Sequence, residues 1–127
     1  MKKTLGILLT AAFLAAGCRS LAPVYNIENK TVVLGSGVTM EQAILAGGAA
    51  KRWTMSAVRP GLIKGNLYTR GHEVTVNIPY TQNSYSIEYA SSDNMRYNAK
   101  KHKIHPKYNQ WVRNLDLAIS RKAARVH

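Results

Sequence analysis

The sequence predicts an α+β domain: a four-stranded antiparallel meander with one helix before it and one after, both packed on the same face. Three observations carry that expectation. Apolar and polar residues alternate from Trp53 to Tyr89, and three closely spaced turn signals interrupt the alternation. A capped helical pattern opens at Thr39, ahead of this region. A second stripe at helical spacing, Tyr108, Trp111, Val112, Leu115 and Ile119, follows it. Two helices on one face of a sheet bury all the amphipathic surfaces at once.

The chain opens with Lys2 and Lys3, then an apolar run over residues 5–16 that ends in Leu14-Ala15-Ala16-Gly17-Cys18. A positive start, a short apolar segment and small residues before a cut site are the layout of a secretory signal peptide, here residues 1–17. The run is too short for a membrane span. Leu-Ala-Ala-Gly-Cys resembles the lipobox of bacterial lipoproteins. That resemblance implies cleavage after Gly17, acylation of Cys18 and attachment to the lipid membrane through it. In the sorting pattern of such lipoproteins an Asp after the Cys retains the protein in the inner membrane. Arg19 stands there instead, which implies the outer membrane, facing the periplasm. Residues 18–30, with Pro23 breaking regular structure, are expected to form a lipidated tether, and residues 31–127 a single domain. Cys18 is the one cysteine. An intramolecular disulfide is therefore impossible, and acylation consumes the thiol that a nucleophilic mechanism would need.

Thr31-Val32-Val33-Leu34 is expected to form a short first strand, closed by Gly35-Ser36-Gly37. Thr39 then caps a helix, with Gln42 three residues on reaching back as in a capping box and Glu41 at the positive end of the dipole. Met40, Ala43, Ile44 and Gly47 share its core face. Gly47-Gly48 weakens the helix by about 1 kcal/mol per glycine relative to alanine, which suggests a close approach to the sheet. Trp53, Met55 and Ala57 begin the meander, Arg59-Pro60-Gly61 turns it, and residues 62–69 return. Arg70-Gly71 is a tight hairpin. Val74, Val76, Ile78 and Tyr80 then oppose Glu73, Thr75, Asn77 and Pro79, and after a turn at Thr81-Gln82-Asn83 so do Tyr85, Ile87 and Tyr89 oppose Ser86 and Glu88. Pro79 suggests that its end of the third strand leaves the ladder on one side. Pro106 stands where a helix begins, and the stripe from Tyr108 to Ile119 lies within about 100° of the wheel. Arg121, Lys122 and Arg125 complement the dipole at the far end.

The formal charge is +12, and it is uneven. Residues 94–127 hold nine Lys/Arg against one Asp, a net of +8. A basic C-terminal third points to an anionic partner or to a solvated basic face. An exported chain meets lipid headgroups, anionic glycolipids and envelope proteins, so no nucleic acid is expected. The carboxylates are scattered, no Gly-x-Ser-x-Gly elbow occurs, and Gly35-Ser36-Gly37 is too short for a phosphate loop. His102 and His105 are three apart, but Lys100, Lys101, Lys103 and Lys107 surround them and no carboxylate is near. No metal or cofactor is expected. The richest cluster is Tyr89, Asn94, Tyr97, His105, Tyr108 and Asn109. It reads either as a ligand or partner surface, or as core aromatics whose loop is tied down by asparagine side chains. A small hydrolase using His105 with Asp93 or Asn109 is the enzymatic alternative, and it requires those side chains to converge.

Tyr85-Ser86-Ile87-Glu88-Tyr89, Ser92-Asp93-Asn94-Met95-Arg96-Tyr97 and the run from Ile104-His105 through Tyr108-Asn109-Gln110-Trp111-Val112-Arg113-Asn114-Leu115 are similar to a family of small proteobacterial envelope lipoproteins. That family reads roughly Tyr-Ser-Ile-x-Tyr, Ser-x-Asn-Leu-x-Tyr and Ile-His-x-x-Tyr-Asn-x-Trp-Val-x-Asn-Leu. Arg59-Pro60-Gly61-Leu62-Ile63 and Arg70-Gly71-His72 fit it as well. Met95 replaces its usual Leu, a volume-conserving change. The basic loop over residues 98–103 departs from it. The resemblance implies a periplasm-facing lipoprotein and brings no activity with it. The resulting expectation is a non-enzymatic binding or assembly module on a lipid anchor, or a module that associates with anionic envelope surfaces through its basic C-terminal third.

Overall fold

The computed structural model describes residues 20–125, so the expected signal peptide and Cys18 lie outside the described residues. Nine elements follow in order: β1 (Ala22–Pro23), β2 (Ile27–Thr31), α1 (Met40–Ala50), β3 (Thr54–Arg59), β4 (Leu62–Thr69), β5 (His72–Pro79), β6 (Ser84–Asp93), β7 (Lys103–Ile104) and α2 (Pro106–Ala123). The fold is α+β. Strands β3 to β6 form the expected antiparallel meander, and β2 adds a fifth strand on the free edge of β6, giving the order β2-β6-β5-β4-β3.

Two expectations about the N-terminal stretch need correction. The sheet begins at Ile27, inside the expected tether, and Thr31 ends a strand rather than starting one. The ladder pairs Ile27 with Ile87 and Lys30 with Tyr85, with a register shift between them. Asn29 sits there at φ +48° and donates its N–H to Ser86 Oγ at 2.9 Å. A bulge breaks the period of two, so a polar edge strand leaves no alternation to read. β1 is pinned as well. Ala22 pairs with Ile104 and Pro23 with Lys103, and Val24 N donates to His102 O. The basic loop that reads as irregular is a short hairpin, with Asn98 and Lys103 exchanging backbone bonds and His102 at φ +52°.

The rest follows the side-chain pattern. Val74, Val76, Ile78, Tyr85 and Ile87 are buried, as are Ile63 and Leu67 across the ladder. Pro79 pairs with Leu62 on one side, while the ladder to β6 ends at Asn77 and Glu88. At the β4–β5 turn Arg70 and Gly71 both take positive φ, +52° and +82°, as a two-residue hairpin with the right twist demands. Thr39 caps α1: its hydroxyl accepts from Gln42 N at 3.1 Å, and its N–H donates to Gln42 Oε1 at 3.0 Å.

Both helices cover the same face and join one core with Met95 and Ile104. Gly47, however, meets α2 rather than the sheet. A Cβ there would lie 2.7 Å from Ile119 N and Cα, so the two helix backbones are in contact at this point. α2 is also tied to the β2 edge. Tyr85 OH donates to Asp116 Oδ1, Ser120 Oγ lies 3.1 Å from the same hydroxyl, and Lys30 Nζ bridges both Asp116 oxygens at 3.0–3.1 Å. Burial, with the Asp116 bond second, holds the Tyr85 phenol well above its ordinary value. The other sheet face is open and polar, carrying Lys64, Asn66, Tyr68, Glu73, Asn77, Glu88 and Asp93.

Candidate functional site

The residues singled out from sequence gather at one end of the domain, where the β4–β5 hairpin, the loop after β6, β7 and the start of α2 meet. Three of them stack. The Tyr89 and Tyr97 rings lie 4.4 Å apart and near parallel, and Tyr108 meets Tyr89 edge-on at 5.6 Å. Tyr108 is fully buried, and its hydroxyl has no hydrogen-bond partner among the described residues. Burial raises its phenol pKa and that of Tyr89, whose hydroxyl lies 2.7 Å from Ser92 Oγ.

The polar members hold the chain in place. Asn109 is buried; its Oδ1 accepts from Tyr25 N at 3.0 Å and its Nδ2 donates to Pro23 O at 2.9 Å. These two bonds fix the segment after β1 against α2. Asn94, at φ +60°, donates Nδ2 to Gly71 O at 3.0 Å, and its carbonyl accepts from His72 Nδ1 at 2.7 Å. A carbonyl only accepts, so His72 carries its proton on Nδ1. His105 caps α2: its Nδ1 accepts from Lys107 N at 3.1 Å, and its own N–H donates to Met95 O. Tyr108, Asn109, Asn94 and His105 are therefore committed to the architecture, and Tyr97 is 37% exposed.

The pairing of His105 with Asp93 is not assembled. Successive residues of a strand point to opposite faces. Ser92 lies opposite Val74 on the covered face, so Asp93 falls on the open face opposite Glu73. His105 belongs to the covered side, with its ring 6.1 Å from that of His72. Asn109, the other partner considered, is bound to the β1 segment. His102 lies in the β7 hairpin and not on a helical turn with His105. Among the described residues no three His, Cys, Asp or Glu side chains converge as a metal site would require.

The structure does bring together a group that sequence reasoning did not select. Thr69, Arg70, His72, Lys107 and Trp111 line a cleft of about 360 Å³. Thr69 and His72 are a register pair on the covered face, beyond the last buried pair Leu67 and Val74. Trp111 belongs to the helical stripe but is only partly buried, because it lies past the end of the sheet, 6.3 Å from the His72 ring. No carboxylate lines the cleft. The sequence signals for it were the Arg70-Gly71 hairpin and the helix start at Pro106, each readable alone, while their approach to one another was not. No family model, curated protein or solved structure matches the chain.

Proposed function

We propose that the chain is an acylated envelope lipoprotein, a non-enzymatic binding module held by Cys18 on the periplasmic face of the outer membrane. Leu14-Ala15-Ala16-Gly17-Cys18, the short apolar run before it and Arg19 after it support the anchor and the address. The resemblance to small proteobacterial lipoproteins supports the same reading. Among the described residues no helix is long and apolar enough to cross a membrane.

The observation that carries the reading is Leu14-Ala15-Ala16-Gly17-Cys18 itself, and the pairing of β1 with β7 orients the domain on that anchor. Four residues after Cys18 the chain is already locked to the fold, and a link of four residues can span no more than about 14 Å. Such a short link keeps one end of the domain against the bilayer. At that end lie Arg70, Arg96, Lys100, Lys101, Lys103 and Lys107 and the cleft, with Glu73 and Asp93 on the open sheet face of the same end and Glu28 and Glu88 farther along that face. The test is metabolic labelling with palmitate, followed by separation of the two membranes. The full chain is expected to take label and to travel with the outer membrane, and Cys18→Ala to take none. An unlabelled parent chain would overturn the proposal.

A second reading, association with anionic envelope surfaces through the basic C-terminal third, is favoured by the same placement in a narrower form. The cations of that third do not form one patch. Lys100, Lys101, Lys103 and Lys107 sit by the anchor-proximal end, whereas Arg121, Lys122 and Arg125 lie at the other end of α2, an 18-residue helix about 27 Å long. Only the first group can meet the membrane that carries the anchor.

A further inference from the structure

We infer that the cleft between the β4–β5 hairpin and the start of α2 binds the phosphate of an anionic phospholipid headgroup in the leaflet that carries the anchor. The inference rests on the lipoprotein reading for the source of the ligand, and on the cleft itself for the chemistry.

Five side chains make the site. Arg70 contributes a guanidinium fork suited to a phosphate, and Lys107 a compact cation. Thr69 adds a hydroxyl. Trp111 adds an apolar ring with an N–H donor, the kind of side chain that settles at headgroup level. His72 walls the cleft between the hairpin and Trp111. At about 360 Å³ the space is near the small end for ligand sites, enough for one headgroup phosphate and part of its substituent.

The electrostatics select an anion. Asp116 is bound to Lys30 and Tyr85, Glu41 lies in the first turn of α1, and the remaining carboxylates are on the open sheet face. Glu73, the carboxylate next in sequence to His72, points to the other face and accepts from Asn66 Nδ2 at 3.0 Å. Nothing negative therefore competes for Arg70 and Lys107 from within the cleft.

The site is also held in shape before any ligand arrives. Arg70 sits in the left-handed region at φ +52°, on a turn whose Gly71 carbonyl accepts from Asn94. His72 is bound back to the carbonyl of the same Asn94. One asparagine thus clamps both sides of the hairpin tip, and the His105 cap fixes the backbone at Lys107. A preorganised site loses less conformational freedom when it binds. The last element is location. β7 pairs with β1 and runs into α2 two residues later, so the anchored strand and the helix start that supplies Lys107 share one end of the domain.

The test uses the acylated full chain in neutral maltoside micelles, with acylation read first from the mass of the N-terminal residue. A missing acyl chain would count against the anchor, and the titration would still decide the cleft. Dihexanoyl phosphatidylglycerol, dihexanoyl phosphatidylcholine and inorganic phosphate are titrated separately, and the NMR signals of residues 69–72, 107 and the Trp111 indole are followed. The expected result is saturable binding, with phosphatidylglycerol about tenfold tighter than either other probe. Arg70→Asn, which tolerates positive φ, combined with Lys107→Gln should weaken it at least about tenfold. Lys122→Gln, a charge change at the far end of α2, should leave affinity within about twofold. Equal affinity for inorganic phosphate would overturn the lipid source. Shifts that never saturate, or an equal loss in Lys122→Gln, would overturn the cleft.

Discussion

Replacing Gly47 by alanine sets helix propensity against packing, and the structure says which one wins. In an exposed helix the change would gain about 1 kcal/mol, because alanine loses less backbone freedom than glycine. Here the new methyl would sit 2.7 Å from Ile119 N and Cα and 2.8 Å from its Cγ1. Two of those three atoms belong to helix backbone, which cannot turn aside as a side chain can. α1 and α2 would have to separate, and Met40 and Ile44 on one helix and Leu115 and Ile119 on the other would lose packing with them. Overpacking of this kind costs about 1–3 kcal/mol, and the forced separation puts this site toward the upper part of that range. Net destabilisation of about 1–2 kcal/mol remains, equivalent to a fall of about 5–10 °C in Tm for a domain of this size. Gly48→Ala is the matched comparison. Its three nearest contacts, 2.3–2.7 Å away, are Cγ, Sδ and Cε of the Met55 side chain, which has three rotatable bonds and can move, so that variant should stay within about 1 kcal/mol of the parent. Thermal unfolding of both variants by circular dichroism decides the matter. A Gly47→Ala protein as stable as its parent would refute the reasoning, since propensity would then have outweighed contact between the backbones.

Three further outcomes are expected. Asp116→Ala leaves the buried Tyr85 hydroxyl with fewer partners and should cost about 1–3 kcal/mol in urea unfolding. Lys30→Met, at the more exposed end of the same network, should cost less than about 1 kcal/mol, and the reverse order would contradict the network as described. Asn109→Ala removes both bonds to the β1 segment, so amide exchange at Tyr25 should quicken about tenfold or more; unchanged exchange would mean that β1 is held by something else. Burial raises the phenols of Tyr85 and Tyr108, so the fold should lose stability in alkali. Below about pH 10 folded and unfolded chains are both neutral at these groups. Above it the unfolded chain ionises first, and stability should fall by about 1.4 kcal/mol per pH unit for each of the two. Ultraviolet titration should find them the last tyrosines to ionise, and a stability that stayed level to about pH 12 would contradict their burial.

Much of the fold was legible because local pattern and burial agree in it. The Thr39 box, the alternation through Val74, Val76 and Ile78, the two-residue turn at Arg70-Gly71 and the stripe from Tyr108 to Ile119 each state a local rule that the core then satisfies. β2 was hidden by its bulge and its polar residues, and β1 and β7 by their length of two residues each. The candidate site was legible in part. Tyr89, Asn94, Tyr97, His105, Tyr108 and Asn109 do gather, but most of them serve as stacking, clamps and caps. A polar side chain beside core aromatics can serve to hold a backbone, and Asn94 and Asn109 do so through bonds to carbonyls and amides far away in sequence.

By itself the sequence determined the α+β class, the meander, both helices and which face of each is buried, because these follow from side-chain periodicity within a few residues of chain. It also set Leu14-Ala15-Ala16-Gly17-Cys18, which resembles a lipobox, near one end and the excess of cations toward the other. Only the tertiary structure decided where those cations stand. Antiparallel pairing of β1 with β7 brings residue 22 beside residue 104, and the hairpin tip at Arg70 and His72 comes to face Lys107 and Trp111 on α2. Contacts of that kind depend on how elements are placed relative to one another, which no local period encodes. They turn a basic C-terminal third into two separate groups of charge, one of which borders the cleft at the end where β1 pairs with β7.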